Sequence, residues 1–348
     1  MSSPGSLASS RPVTLMAGDG IGPEITEAFL RVFGALPHPF VWERQAIGKG
    51  AFADFGDPLP SATSDSIRRH RLAIKGPVET PLGTGFRSPL VRLREEFQLF
   101  VNLRPTLTLI PNARFPALDL IVVRENTEGL YCGKEWFEPV GDQPEGRAMA
   151  TCWNTRAGCE RVLRFAFDLA ISRGRKKVTV VHKANVLKLL SGIFLSTARR
   201  LKAEVYGDAI VLEEMIVDAC AMKLVMTPER FDVIVTTNLF GDILSDLTAG
   251  LTGGLGLAPG ANIGAQHALF EAVHGSAPDI AGQGIANPTA LLLAGAMLLE
   301  HVGELAAADR LRRAISCTLN EDGVRTRDLG GTASTDQFAD ALIRQLRA

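Results

Sequence analysis

The 348-residue sequence lacks a G-x-G-x-x-G fingerprint, a C-x-x-C pair, a long hydrophobic run and a strong net charge. The glycine cluster GDGIG (residues 18–22) alone therefore predicts a tight turn between a strand and a helix rather than a dinucleotide fingerprint. The most apolar run, TALLLAGAMLL (residues 289–299), is shorter than the roughly 20 residues that span a bilayer, so it predicts a buried helix. A formal charge of −1 argues against nucleic acids and membranes as primary partners.

The five cysteines are scattered, and their spacing fits no metal finger. An odd number of cysteines in a chain without an export signal is typical of reduced thiols in the cytoplasm, which is the expected location. The opening stretch MSSPGSLASS has neither a basic end nor an apolar core. It predicts a disordered leader over residues 1–10 rather than a secretion signal.

Short apolar strands alternate with helical segments along the chain. VTLMAGDG is β-branched and apolar, and Pro23 then opens PEITEAFLRVFGAL, whose apolar residues follow a helical stripe. RLAIKGP, DLIVVREN, KVTVVHKA and FDVIVTTN are further short strands that end in polar residues. This pattern predicts an α/β fold with extensive parallel pairing, whose ligands collect at the carboxyl ends of the strands.

The alternation breaks between Tyr131 and Asn154, where prolines, glycines and aromatic residues replace any helical stripe. A solvated loop seldom carries side chains such as Trp136, Phe137 and Trp153. We therefore interpret this segment as an arm that pairs with another subunit rather than as a flexible insertion.

Three arginines stand near the ends of predicted strands or helices: Arg94, Arg104 and Arg124. Each alone is typical of a solvated or ion-paired side chain, but together they can clamp a small polyanion, because guanidinium groups bind carboxylates bidentately. Tyr131 and Lys183 are the candidate proton carriers nearby. A lysine acts as a base only where burial or a cation lowers its pKa.

Asp242 and Asp246 stand four residues apart in NLFGDILSD, so a helix would place both carboxylates on one face. Asp218 lies in the mostly apolar stretch EEMIVDACAM, where it could form a salt bridge, cap a helix or join the other two acids. Three carboxylates without histidine or cysteine describe a hard-oxygen site for Mg²⁺ or Mn²⁺ rather than for zinc.

Several blocks resemble the isocitrate/isopropylmalate dehydrogenase family of β-decarboxylating dehydrogenases. They are GDGIGPEI, IKGPVETPLGTGFRS, RENTEGLY, HKANVLK, NLFGDILSDLTAGLTGGLGLAPGANIG and FEAVHGSAPDIAGQGIANPTALLL, and the match continues to TRDLGGTASTDQF. The resemblance implies a two-domain α/β sandwich other than the Rossmann fold. Its large domain would span 11–104 and 255–348, and its small domain 105–254, with the dimerisation arm near 132–154. The partner would be a second copy, in a homodimer with shared active sites.

The resemblance also implies site residues. The matching substrate-binding residues are Ser88, Arg94, Arg104 and Arg124. The matching metal ligands are Asp242 and Asp246 of one protomer together with Asp218 of the other, which also supplies Lys183 as proton acceptor; Tyr131 matches the proton donor. The matching coenzyme-binding residues are Thr80, His274, Gly275, Ala277, Asp279, Ile280 and Asn287.

The activity that this resemblance implies is oxidative decarboxylation of a 3-substituted malate with NAD and Mg²⁺ or Mn²⁺. The substrate is expected to be a hydroxy di- or tricarboxylate, first isocitrate, which would give 2-oxoglutarate, then homoisocitrate, then 3-isopropylmalate, tartrate or D-malate. A regulatory subunit of a hetero-oligomer is the non-enzymatic alternative. Such subunits typically lose part of the acid, lysine or arginine set, which is complete here.

Two departures from family patterns bear on specificity. Asp279 and Ile280 stand where NADP-linked relatives carry lysine and tyrosine, which favours NAD because a carboxylate repels a 2′-phosphate. Isocitrate enzymes usually carry S-x-N where this chain has Ser88, Pro89 and Leu90. Leu90 would either belong to the buried stripe of its helix or make the pocket more apolar for a longer acid.

Overall fold

The structure is a computed structural model, and it describes residues 10–81, 85–111, 113–132 and 134–348. The predicted leader lies outside the described residues except for residue 10, and so does Gly133 of the predicted arm. Within the described part of the chain, no helix is both long and apolar enough to cross a membrane.

Strands and helices alternate over most of the chain, as the sequence pattern predicts. The strands are β1 (Arg11–Met16), β2 (Phe40–Arg44), β3 (Leu72–Lys75), β4 (Val101–Leu107), β5 (Asp119–Glu125), β6 (Glu135–Val140), β7 (Gln143–Ala150), β8 (Lys177–His182), β9 (Val211–Ile216), β10 (Val233–Thr236), β11 (Pro259–Ile263) and β12 (Ala268–Ala272). The helices are α1 (Gly22–Phe33), α2 (Lys49–Phe55), α3 (Ser61–His70), α4 (Pro89–Glu96), α5 (Arg156–Ser172), α6 (Gly192–Leu201), α7 (Val217–Met226), α8 (Asn238–Leu251), α9 (Thr289–His301), α10 (Leu305–Asn320) and α11 (Thr335–Arg347). The predicted α/β class is confirmed.

The chain divides into two compact units. The first comprises residues up to 93, 255–261 and 266–348, and the second comprises 94–254 and 262–265. The domain limits that the resemblance implies, after residues 104 and 254, stay a prediction.

The first unit is built on the strand order β2-β1-β3-β12, in which neighbouring strands are parallel. Helix α1 buries the predicted apolar stripe, including Phe29 and Phe33. Helix α9 is the apolar run of the sequence, and it is buried as predicted. A Cβ at Gly295 of α9 would lie 2.6 Å from the Phe29 ring, so glycine permits the close packing of these two helices.

The second unit contains the strand order β4-β5-β10-β8-β9. The pairings of β10 with β5 and β8, and of β8 with β9, are parallel, whereas β4 runs antiparallel to β5. Leu120, Val122, Ile234 and Leu244 belong to the apolar core on which α8 packs. The carboxyl end of β5 carries Arg124 of the candidate site, and α8, which follows β10, carries Asp242 and Asp246.

The segment predicted as an arm forms an antiparallel hairpin of β6 and β7. Trp136 and Phe137 on β6 are 50% and 55% exposed, respectively. Large aromatic side chains are rarely left this exposed on a protein surface without a partner. Pairing of the hairpin with a second subunit stays a prediction.

Candidate active site

Three predicted substrate arginines lie in the second unit, and all are buried. Arg94 is in the last turn of α4, Arg104 is in the middle of β4, and Arg124 is near the end of β5. Asn102 pairs directly with Arg124 across the two antiparallel strands. Because side chains alternate along a strand, Arg104, two residues after Asn102, is on the same face as Arg124. At most 8% of each arginine is exposed, so their charges are available only to groups inside the site.

The paired acids Asp242 and Asp246 lie on α8, which starts directly after β10. As the four-residue spacing predicts, both carboxylates lie on one face, and they meet the arginines. Arg124 forms an ion pair with Asp242, and Arg104 Nη1 lies 2.9 Å from Asp246 Oδ1. Gly241 matters here, because a Cβ at that position would lie 2.5 Å from the Arg124 side chain.

Tyr131 completes this cluster. Its hydroxyl donates a hydrogen bond to Asp242 Oδ2 at 2.5 Å, and its ring lies 5.2 Å from the guanidinium carbon of Arg124. Burial and the bond to Asp242 raise the pKa of the tyrosine. The phenol therefore keeps its proton at neutral pH and is available as a donor.

The environment shifts the pKa values of the charged groups in opposite directions. Burial raises the pKa of Asp246, and Asp242 adds to this effect. For Asp242, burial is outweighed by the charge of Arg124 and the bond from Tyr131, so its pKa is lowered. Burial and the neighbouring Arg94 lower the pKa of Arg124 to about 9. These shifts follow from the close packing of buried arginines and acids in this cluster.

Residues not singled out by the sequence hold the three arginines. Arg94 Nε donates to Asn262 Oδ1 at 3.1 Å, Arg104 Nε to Asn102 Oδ1 at 2.6 Å, and Arg124 Nε to Asn238 Oδ1 at 3.1 Å. Asn102 is two residues before Arg104 on one strand, a spacing that could have identified it. The other two contacts join distant parts of the sequence.

Lys183 and Asp218 form a separate pair in the second unit. Lys183 directly follows β8, Asp218 is in the first turn of α7, and Lys183 Nζ donates to Asp218 Oδ1 at 2.6 Å. The bond from Lys183 lowers the pKa of Asp218, whose side chain is 69% exposed. Among the described residues of this single chain, three or more metal-binding side chains do not cluster. Joining of this pair to the acids of a second copy stays a prediction.

The predicted coenzyme residues lie in the first unit, most of them between β12 and α9. The ring Nε2 of His274 is buried without a hydrogen-bond partner in the structure, and burial lowers the pKa of this histidine. Asn287 donates to Asp328 at 2.9 Å and accepts from the Thr289 backbone. Ala277 has a φ of 40°, and Asp279 is exposed.

Glu24 of α1 fixes the segment that leads to Asn287. Its carboxylate accepts hydrogen bonds from the backbone N–H groups of Gly282, Gly284 and Ala286, at 3.1, 3.3 and 2.9 Å. Glu24, the last residue of the GDGIGPE motif, therefore has a structural role that the glycines of the motif did not indicate. The motif does not form a dinucleotide fingerprint, and instead it supplies the carboxylate that orders a later segment of the chain.

The remaining predicted residues are Thr80 and Ser88, both in the first unit. The Ser88 carbonyl accepts from Arg92 at the start of α4. Leu93 and Phe97 are buried, as expected for the inner stripe of this helix, whereas Leu90 is only half-buried. Leu90 therefore belongs less fully to the core than its two neighbours do.

Known proteins are similar to this chain over nearly its whole length. The family model for isocitrate/isopropylmalate dehydrogenase matches residues 12–342. A mitochondrial regulatory subunit of the NAD isocitrate dehydrogenase of Dictyostelium discoideum is 42% identical, over 98% of this chain and 93% of that protein. An isocitrate/homoisocitrate dehydrogenase of Thermus thermophilus is 44% identical, over 97% of this chain and 98% of that protein. The crystal structure of isocitrate dehydrogenase from Methylococcus capsulatus superimposes with a TM-score of 0.93 at 51% identity, covering 97% of this chain and all of that one. The chain belongs to the isocitrate/isopropylmalate dehydrogenase family.

Proposed function

We propose that this protein catalyses the NAD-dependent oxidative decarboxylation of a 3-substituted malate with Mg²⁺ or Mn²⁺, and that isocitrate, which gives 2-oxoglutarate, is its substrate. One observation carries the proposal: three buried arginines face two carboxylates and a protonated tyrosine in one unit. Guanidinium groups bind carboxylates bidentately, so these arginines suit a substrate with several carboxylates. Paired carboxylates in turn provide the hard oxygen ligands that suit Mg²⁺ or Mn²⁺.

The side chains present fit both a divalent metal ion and a coenzyme. Asp242 and Asp246 offer only oxygen atoms, and the half-exposed Asp246 can exchange its arginine contact for a cation. In the first unit, the unpartnered Nε2 of His274 is a buried polar atom that a coenzyme group can satisfy. When bound, the metal ion polarises the C2 oxygen of the substrate, and NAD accepts the hydride.

The chain's own residues supply binding and proton transfer. Arg94, Arg104 and Arg124 bind the carboxylates of the malate part and orient C2 and C3. Lys183 from a second copy accepts the hydroxyl proton. Tyr131 delivers its proton to C3 after CO₂ has left, and its raised pKa keeps that proton in place until then.

A panel of coupled assays tests this proposal. Purified protein with Mn²⁺ and NAD would be given isocitrate, homoisocitrate, 3-isopropylmalate, D-malate and tartrate in turn, with NADH measured by absorbance. We expect the largest kcat/KM for isocitrate and no NADH in the presence of EDTA. A folded, metal-loaded protein without turnover on any of these acids would instead support the regulatory role named for the Dictyostelium relative.

Homoisocitrate is the second candidate substrate, because Leu90 replaces the asparagine of the S-x-N pattern. A half-buried leucine cannot donate a hydrogen bond to the third carboxylate of isocitrate. The Thermus relative is named for both acids. A kcat/KM that is larger for homoisocitrate than for isocitrate in the same panel would establish this alternative.

The preference for NAD is supported by Asp279 and Ile280. The exposed Asp279 carboxylate can accept hydrogen bonds from ribose hydroxyls and repels a 2′-phosphate. Relatives are named for either coenzyme, including an NADP-named isocitrate dehydrogenase of Thermus thermophilus. The double substitution Asp279→Lys with Ile280→Tyr should weaken or reverse the ratio of kcat/KM for NAD over NADP. Equal use of both coenzymes by the unsubstituted protein would contradict the assignment.

The homodimer with shared sites is supported by the exposed aromatic residues of the hairpin. It is also supported by Asp218, the partner of Lys183, which does not cluster with Asp242 and Asp246 among the described residues of one chain. Lys183→Ala and Asp242→Asn should each abolish turnover. When both variants are refolded together, one site of each mixed dimer carries neither substitution, so about a quarter of the wild-type activity should return. Mixtures as inactive as the single variants would contradict shared sites.

A further inference from the structure

Every arginine of the substrate cluster is held in the same way. Each donates its Nε–H group to the side-chain oxygen of one asparagine, at 3.1 Å for Arg94, 2.6 Å for Arg104 and 3.1 Å for Arg124. The three acceptors are Asn262, Asn102 and Asn238, and none is more than 1% exposed. A buried side chain of this kind keeps one rotamer, so it fixes the plane of the guanidinium group that it contacts.

The asparagines are themselves anchored. Asn102 Nδ2 donates to Asn262 Oδ1 at 2.9 Å, so these two amides join Arg94 to Arg104 through side chains alone. Asn238 Nδ2 donates to the backbone carbonyl of Glu128 at 2.9 Å, and its oxygen also accepts from Arg124 Nη2 at 2.7 Å. We call Asn102, Asn238 and Asn262 the amide frame.

The chemical choice of amide rather than carboxylate has a consequence for charge. A carboxylate in the same place would hold the Nε edge equally well, but it would cancel the positive charge that attracts the substrate. An amide oxygen accepts the hydrogen bond and leaves that charge in place. At Arg104 the opposite edge is then free to contact acidic groups, as Nη1 does with Asp246.

We propose that Asn102, Asn238 and Asn262 are positioning residues for the substrate: they orient the three arginines while preserving their charge for the substrate carboxylates. This inference rests on the proposed function, because it assigns the frame to binding of the same hydroxy acid. The frame acts through the arginines, and its members do not touch the substrate.

Two substitutions of Asn102 separate this role from simple structural support. Asn102→Asp keeps the acceptor but adds a negative charge beside Arg104, whereas Asn102→Ala removes the acceptor. Both should lower the affinity for isocitrate and D-malate, measured calorimetrically with Mg²⁺ and without coenzyme, by roughly ten- to a hundredfold. The KM for NAD should stay unchanged. Asn320→Asp, which adds the same charge at an exposed position of α10, is the control and should bind like the wild type.

The outcomes distinguish the two proposals. A folded Asn102→Asp variant that binds both acids as tightly as the wild type would overturn the amide frame and leave the proposed function intact. A wild type that binds neither acid would overturn the proposed function and the frame's role with it.

A measurement on the unsubstituted protein covers the case in which the variants do not fold. The Nε–H protons of Arg94, Arg104 and Arg124 should exchange slowly with water in NMR spectra without any ligand, because each is buried and bonded to an amide oxygen. Assignment would follow from the loss of one signal in each Arg→Lys variant. Fast exchange of all three protons would overturn the frame.

Discussion

The two units position their candidate functional groups by different means. In the second unit, side chains hold side chains: asparagines orient arginines, and arginines and a tyrosine hold acids. In the first unit, the carboxylate of Glu24 holds a backbone segment through three N–H groups. The comparison teaches that substitutions in the charged cluster of the second unit should change charge and chemistry, whereas those at Gly20 and Glu24 of the first unit should change the path of the backbone and, through it, the binding of coenzyme.

The largest effect should come from Asp242→Asn in the second unit. The substitution removes an anionic oxygen that would bind the metal and a partner of Arg124 and Tyr131. We expect kcat to fall by at least about a hundredfold, with only a small change in melting temperature. Titration with Mn²⁺ should show weaker metal binding. Asp309 is an exposed acid of α10, so Asp309→Asn is the control for the loss of one charge. Normal turnover in the Asp242→Asn variant would refute the metal site.

In the first unit, Gly20→Ala should lower the thermal stability of the protein. Gly20 has a φ of 58°, and a Cβ there would collide with the carbonyl oxygen of Ser276. Gly56 has a φ of 72° with nothing nearby, so Gly56→Ala isolates the cost of the left-handed backbone, about 1 kcal/mol. Thermal unfolding should show a clearly larger fall in melting temperature for Gly20→Ala than for Gly56→Ala. An equal fall in melting temperature for both variants would mean that the close approach to Ser276 does not contribute to the stability difference.

Substitution of Glu24 sharpens the comparison further. In Glu24→Gln, the side-chain NH₂ group would face backbone donors that now meet a carboxylate oxygen. We expect the KM for NAD to rise about tenfold, because hydrogen bonds to a charged group are worth about 1.5–3 kcal/mol. The affinity for isocitrate without coenzyme should not change. The control is Glu27→Gln, on the same helix and paired with Arg44 at the surface, which should leave both values unchanged. A change in isocitrate affinity in Glu24→Gln would contradict the assignment of Glu24 to coenzyme binding alone.

The mildest substitution should be Leu90→Asn on α4, which should shift the preference between two substrates without loss of turnover. A new amide donor at this half-buried position should raise kcat/KM for isocitrate relative to homoisocitrate by about one order of magnitude. The melting temperature should change little, because Leu93 and Phe97 supply the buried stripe of this helix. An unchanged ratio would assign Leu90 to packing alone.

Local patterns predicted much of this structure. Helical periodicity placed Asp242 and Asp246 on one face of α8, and the apolar run at 289–299 predicted α9. The antiparallel pairing of β4 with β5 was missed, because the alternation of strands and helices predicts parallel neighbours. That pairing nevertheless brings Arg104 beside Arg124 on one face.

The amide frame lay beyond sequence reasoning for a physical reason. Asn238 and Asn262 meet their arginines across 114 and 168 residues, respectively, and asparagine is common in turns simply because its side chain bonds to the nearby backbone. Glu24 was likewise not singled out, since its backbone partners lie about 260 residues further along the chain. Contacts of this kind depend on the tertiary fold, whereas the acid pair depends on a single helix.

The most direct test of the account measures NADH and CO₂ together from isocitrate, with Mn²⁺ and with EDTA. If the arginines, acids and Tyr131 of the second unit carry out a metal-dependent oxidative decarboxylation, the two products should appear in a ratio of one to one, and both should be absent with EDTA. NADH formation without CO₂, or equal turnover in the presence of EDTA, would contradict the account.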